Sequence, residues 1–278
     1  MKTETIKYIL NVDEKTYQYI NDKLIKMDSK IGKVYLENEG LIFNLGLYSY
    51  YPLLFMPYFK YNNQIKNLCL FSRYYTGWLF ILDKIYDDIN EYKPEEMLVM
   101  STVLSEAEHI LGEIIPYGEK EIYEQVRKFR NINDKTMLKE RKYFSYEKEF
   151  SDIELFDYCK DKYVIAKLIV YLCYINSEVR NKQALDILYY SHDCYALARQ
   201  ILDEIEDYQE DYNINKFNIY AYKIIKKYGK LQEETYIKSY LIEIAKENFK
   251  AALNAVEHLP VYGWKRFLEK NIGKLGDK

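Results

Sequence analysis

Apolar side chains recur every three to four residues along most of this chain, and little interrupts them. The 278 residues contain only 10 Gly and 5 Pro. A many-stranded sandwich or barrel needs a turn after each short strand, so this scarcity argues against both. The spacing predicts helices over Asp13 to Lys30, Ile65 to Ile89, Pro94 to Ile115 and Gln183 to Tyr212, then near 219–228, 232–258 and 264–271. Pro94, with Glu95 and Glu96 behind it, has the character of a first helical turn. Glu119 to Lys148 is charged and helix-favouring. Phe156 to Asn176, with Val164, Ile165, Leu168, Ile169 and Leu172, is predicted as one buried helix. No stretch alternates as a strand, and no Gly/Ser/Pro linker divides the chain. The expectation is a single all-α domain over 1–278.

Composition removes several function classes. Lys and Arg number 40 against 43 Asp and Glu, a net charge of -3, which gives no pull towards nucleic acid. The uncharged run Leu41 to Phe59 is near the length of a membrane span. It also holds Pro52, Pro57, Asn44 and Ser49, so a buried or cavity-lining element is expected and no integral span. Met1 to Val12 shows no signal-peptide pattern, and a cytoplasmic location is expected. Cys69, Cys159, Cys173 and Cys194 form no CxxC pair and read as buried thiols. GxGxxG, P-loop and GxSxG signatures are absent.

Two acidic rows stand out. Asp83, Asp87 and Glu91 share the spacing i, i+4, i+8, and Asp203, Asp207 and Asp211 repeat it 120 residues later. Such a row runs along one helix face and repels itself, so it needs solvent or a cation. Both rows lie in otherwise apolar helices: Trp78 to Leu82 precede the first, and Ile201, Leu202 and Ile205 surround the second. Oxygen-only ligands suit Mg²⁺ completed by phosphate oxygens, and the lack of His or Cys disfavours zinc. On the residues alone, a Mg²⁺–diphosphate site and a solvated acidic face both stand.

Here the chain resembles the class I isoprenoid (terpenoid) synthases, which include terpene cyclases and trans-prenyl diphosphate synthases. Gln200-Ile201-Leu202-Asp203-Glu204-Ile205-Glu206-Asp207 is similar to their Q-I-x-D-D-x-x-D, with Glu204 at the second Asp. Asp83-Lys84-Ile85-Tyr86-Asp87 is similar to D-D-x-x-D, with Lys84 at the second Asp. The resemblance implies a single-domain helical bundle around a central active-site cavity. It implies Mg²⁺, three ions completed by substrate diphosphate, on Asp83, Asp87, Asp88, Asp203, Asp207 and Asp211. Catalysis would rest on Asp83, Asp87, Asp203 and Asp207, and diphosphate binding on Arg199, Lys216 and Arg266. Tyr74, Tyr75, Trp78, Phe55 and Tyr171 would wall a pocket for a carbocation. The 32 tyrosines suit such a pocket, although codon bias competes as their origin.

Chain-elongating synthases carry an Arg pair after the first motif and a basic site near the N-terminus. Here Asp88 to Pro94 contains no Arg, nor do residues 1–60. The departure favours a one-substrate terpene synthase, which ionises farnesyl or geranylgeranyl diphosphate and then cyclises or eliminates. The alternatives are a prenyl diphosphate synthase, chain-elongating or head-to-head, and a non-catalytic helical binding protein. The expected partner is a prenyl diphosphate, and a homodimer is compatible with the reading. Ser191-His192-Asp193, with His109, raises a metal-dependent phosphohydrolase as a weaker rival.

Overall fold

A computed structural model of the chain describes residues 3–10, 12–35, 46–56, 58–60, 64–87, 94–115 and 118–276. These form α1 (Thr3–Leu10), α2 (Glu14–Tyr35), a 3₁₀ helix (Gly46–Phe55), α3 (Ile65–Asp87), α4 (Pro94–Ile114) and α5 (Lys120–Tyr143). There follow α6 (Asp152–Lys162), α7 (Val164–Ile175), α8 (Lys182–Asn213), α9 (Ile219–Tyr228), α10 (Thr235–Ala255) and α11 (Tyr262–Gly276). No strand occurs among the described residues. The expected all-α class is the one observed.

The chain divides into two compact units. The first comprises Met1–Ile122, Tyr171–Asn181 and Leu259–Phe267, and the second Tyr123–Val170, Lys182–His258 and Leu268–Lys278. Neither unit is one continuous stretch of sequence.

In the first unit α3 packs on α4 and on the 3₁₀ helix. The described part of the uncharged run is a buried element: Leu47 and Ser49 to Phe55 are all buried. Pro52 and the lack of a 3.6-residue stripe keep it from forming a regular α-helix. Its rings make the core, with Phe55 6.0 Å from Trp264 and 5.6 Å from Tyr51. Gly263 closes this packing. A Cβ there would stand 2.8 Å from Leu54 Cα and 3.1 Å from the Leu10 carbonyl oxygen, so only glycine fits.

In the second unit α8 is the spine, packed against α6, α9 and α10. The predicted helix Phe156 to Asn176 is two helices. α6 opens on a capping box, with Ser151 and Glu154 each bonding the other's backbone N–H. It stops at Tyr163, whose φ of -104° and ψ of 13° leave the α region. α9 starts on the side chain of Asn218 and ends at Gly229, whose φ of 72° glycine adopts without strain. Both junctions, Tyr163 and Asn218, meet the acidic stretch of α8.

All four cysteines are buried thiols, as expected. Among the described residues no helix is long and apolar enough to cross a membrane.

Candidate functional site

The second acidic row lies on the C-terminal half of α8. Its apolar neighbours Ile201 and Ile205 are buried in the core and draw the helix inwards. Asp203 and Asp211 are in consequence half-buried, while Asp207 is exposed. Asp203 is held at both oxygens. Arg199 Nη2 stands 2.6 Å from Oδ1, and the Tyr163 hydroxyl donates to Oδ2 at 3.1 Å. Burial raises the Asp203 carboxyl to about 6; Arg199 and Tyr163 oppose this, and Asp207 and Glu206 add to it. Burial also raises Asp211, against the Asn218 hydrogen bond and the charges of Lys216 and Lys162.

Asn218 ties the row to the next helix. Its Nδ2 donates to Asp211 Oδ2 at 2.8 Å and to the Glu204 carbonyl at 2.9 Å. Its Oδ1 accepts from Ala221 N–H at 3.0 Å, which caps α9. Lys216 is fixed by its backbone N–H, 2.8 Å from the Asp211 carbonyl oxygen.

Behind the row lies a buried charged network. Glu204 accepts from Gln200 Nε2 at 2.5 Å and from Ile219 N–H at 2.6 Å. Lys162 Nζ stands 2.6 Å from Glu140 and 3.9 Å from Glu204, and the Tyr158 hydroxyl donates to Glu140 at 3.0 Å. Burial works to raise Glu140, but Lys162 and Lys216 overcome it and hold its carboxyl low. Glu204, farther from the shared lysine, is pushed up by burial to about 7. Lys162, Glu140, Asn218 and Tyr163 were not found by sequence reasoning. The signal for Lys162 was a lysine between Tyr158 and Tyr163 at the edge of a strongly apolar stretch.

The first row is on α3 in the other unit. Asp83 is exposed, near the helix end. Asp87 is the last residue of α3, and its side chain lies outside the described residues, as does all of Asp88. Lys84 is turned to α4, where its Nζ bonds the buried Glu96 at 2.6 Å. Both motifs thus differ at the second position from the pattern they resemble, and in both the differing residue makes polar contacts within its own unit, Lys84 with Glu96 and Glu204 with Gln200 and the Ile219 N–H.

The other predicted site residues of the first unit are placed as follows. Arg266 donates to the Tyr8 carbonyl at 2.8 Å and lies over the Tyr8 ring, which fixes it to α1. Phe55, Tyr74 and Tyr75 are fully buried. Tyr75 stacks on Phe71 at 5.1 Å and lies 5.0 Å from Trp78. Tyr171 stacks on Tyr174 at 6.4 Å.

The phosphohydrolase rival loses its residues to packing. His192 is buried, with Nδ1 2.7 Å from the Leu188 carbonyl of its own helix, and burial lowers the ring to about 3. Asp193 pairs with Lys167. His109 is exposed and stands 3.6 Å from Glu113.

No group of three or more His, Cys, Asp and Glu side chains converges as a metal cage among the described residues. Mg²⁺ does not need one, because it takes one or two carboxylates and fills its octahedron with water and phosphate oxygens. The all-oxygen row Asp203, Asp207 and Asp211, two of its members desolvated, fits that ion in donor type and in charge.

No protein-family model and no curated protein matches the sequence. Among solved structures, a heptaprenyl diphosphate synthase from Staphylococcus aureus superposes with a TM-score of 0.67 at 13% identity, over 93% of this chain and 98% of that one. The fold is the all-helical isoprenoid synthase fold. At this identity the likeness concerns the fold, and it runs over nearly the full length of both chains.

Proposed function

We propose that this chain is a Mg²⁺-dependent enzyme that ionises a prenyl diphosphate. The observation that carries the reading is the desolvated pair Asp203 and Asp211 on one stripe of α8, in a chain with this fold. Two carboxylates drawn out of water on the same face are unfavourable by themselves, and a divalent cation with its phosphate oxygens offsets that cost. Asp203, Asp207 and Asp211 would hold Mg²⁺ on the second unit, and Asp83 and Asp87 on the first. Bound there, Mg²⁺ would neutralise charge on the departing diphosphate. Tyr163 fixes the orientation of the Asp203 carboxylate, and Arg199 brings a forked donor to the same place. Lys216 brings a second cation beside Asp211.

Two reactions share this first step. Chain elongation, with isopentenyl diphosphate as second substrate, is supported by the solved synthase of the same fold. The one-substrate terpene synthase reaction is favoured by a different observation, the lack of Arg in residues 1–60 and from Asp88 to Pro94. The test is a product profile. The protein is incubated with Mg²⁺ and ten-, fifteen- or twenty-carbon prenyl diphosphates, with and without isopentenyl diphosphate. Diphosphate release and products are read by mass spectrometry. Metal-dependent release is expected. Longer prenyl diphosphates would establish elongation, and cyclic or eliminated hydrocarbons the lyase. No turnover under any of these conditions would overturn the reading in favour of a helical binding protein.

A further inference from the structure

The second unit contains a cavity of about 170 Å³ that includes none of the proposed Mg²⁺ or diphosphate ligands. It lies where the end of α5, the loop to α6 and the start of α6 meet Phe217. Its apolar wall is Leu155 and four aromatic rings. Tyr143 and Phe150 stand edge-to-face at 4.7 Å, and Phe217 lies 5.5 Å from Phe150 and 5.6 Å from Tyr158. The loop that closes it turns at Tyr146, which takes a left-handed φ of 55°. An enclosed apolar cavity of about 150 Å³ accepts benzene; this cleft, partly open to solvent, is of similar volume.

The charged lining residues are not equivalent. Glu154 accepts both Ser151 N–H at 2.9 Å and Ser151 Oγ at 3.0 Å, and Asp157 is bonded by Lys160 at 3.0 Å. These acids are engaged in the structure of α6. The two lysines are held loosely. Lys148 Nζ is 3.6 Å from Glu154 and Lys139 Nζ is 3.8 Å from Asp161, both beyond hydrogen-bonding distance. Lys148 instead lies over two rings of the wall, 4.5 Å from the Phe150 centroid and 5.1 Å from that of Tyr143. An ammonium group at the solvent-exposed edge of an aromatic cleft, with a second lysine among the lining residues, matches an anion on an apolar body.

We propose that this cavity is a binding site for a small arylcarboxylate, its ring among Tyr143, Phe150, Tyr158 and Phe217 and its carboxylate on Lys148 and Lys139. The pairing uses edge-to-face ring contacts for the body and two ammonium groups for the head. Lys148 moves from the ring faces to the carboxylate, a short swing for a four-carbon side chain.

The test uses the full chain and phenylacetate as probe, read by saturation-transfer NMR and calorimetric titration. A ligand of about ten non-hydrogen atoms is expected to bind with a dissociation constant on the order of millimolar. Lys148→Met and Lys139→Met are each expected to weaken binding about fivefold. Lys135→Met, exposed on α5, is the control and should leave it unchanged. The neutral isostere 2-phenylacetamide and inorganic phosphate should each bind at least about tenfold more weakly, because each lacks one half of the match. Three results would overturn the proposal: no saturable phenylacetate binding, equal binding of either control ligand, or unchanged affinity in both lysine variants. The outcome is independent of whether prenyl diphosphates turn over.

Discussion

Arg199 and Tyr163 grip Asp203 from two sides, one on each carboxylate oxygen, at 2.6 and 3.1 Å. Both favour the ionised form, yet burial and the neighbouring acids Asp207 and Glu206 still leave the group at about 6. The carboxylate is thus fixed in direction while its charge is only partly compensated. A rigid, under-compensated acid is the kind of group a hard cation completes.

The first prediction tests that group directly. Asp203→Ala and Asp207→Ala should each lower Mg²⁺-dependent diphosphate release from a fifteen-carbon prenyl diphosphate by about a hundredfold or more. Tyr163→Phe keeps the carboxylate and loses only its positioning bond, so a loss of about tenfold or less is expected. Glu210→Gln, exposed and off the stripe, should stay within about twofold. Initial rates across Mg²⁺ concentrations, with thermal melts to show that each variant folds, give the comparison. Full activity in Asp203→Ala would remove this site from the chemistry.

The network behind the row gives a stability prediction. Lys162 is shared by Glu140 and Glu204, both of them buried. Removing Lys162 takes from the buried Glu140 its nearest cation and leaves it only Lys216 and the Tyr158 hydrogen bond, at a cost of about 3 kcal/mol. Lys162→Met should therefore destabilise by about that much in urea unfolding. Adding Glu140→Gln to it should recover more than half, because the orphaned charge is then gone. Equal destabilisation of the single and double variants would show that packing of the lysine stem, rather than its charge, matters here.

Much of this was legible in the sequence, and the rest was hidden for physical reasons. The long helices followed from apolar spacing, and α9 began and ended within the predicted 219–228. The acidic rows followed from simple i, i+4 arithmetic. The split at Tyr163 was not legible, because the stretch contains no Gly or Pro and its helical pattern runs straight through. The break follows tertiary contacts, with the Tyr163 ring reaching Asp203 forty residues away. The run Leu41 to Phe59 is legible as a buried or cavity-lining element but not as a 3₁₀ helix, since Pro52 and a continuous apolar run give no period to read. Lys84 and Glu204 were visible as departures from a motif. What each one bonds, Glu96 for Lys84 and the Ile219 N–H for Glu204, is not named by local sequence.

A third prediction concerns Gly263. The atoms a new Cβ would meet are backbone, Leu54 Cα at 2.8 Å and Leu54 O at 2.9 Å, and backbone cannot move aside as a flexible side chain can. In open helix Gly→Ala stabilises slightly, so the sign here is diagnostic. Gly263→Ala should destabilise the chain by about 2 kcal/mol through overpacking. Gly273→Ala, with nothing within 4 Å of the new atom, should be neutral or stabilising. Chemical denaturation of the two variants side by side decides it.

The last prediction is a pH dependence from His192. Its ring is buried, its Nδ1–H donates to the Leu188 carbonyl, and desolvation lowers its pKa from 6.5 to about 3. Between those values the unfolded chain binds a proton that the folded chain refuses. The contribution is therefore fully present above the unfolded value, and stability falls as pH drops through the window towards 3. From pH 7 to pH 5 this one residue should remove about 2 kcal/mol. His192→Gln can keep a donor to the Leu188 carbonyl and cannot titrate. It is expected to lower stability at both pH values but to flatten the slope between them by about the same amount. Urea unfolding at the two pH values measures both, and an unchanged slope in the variant would show that His192 is protonated in the folded chain at pH 5.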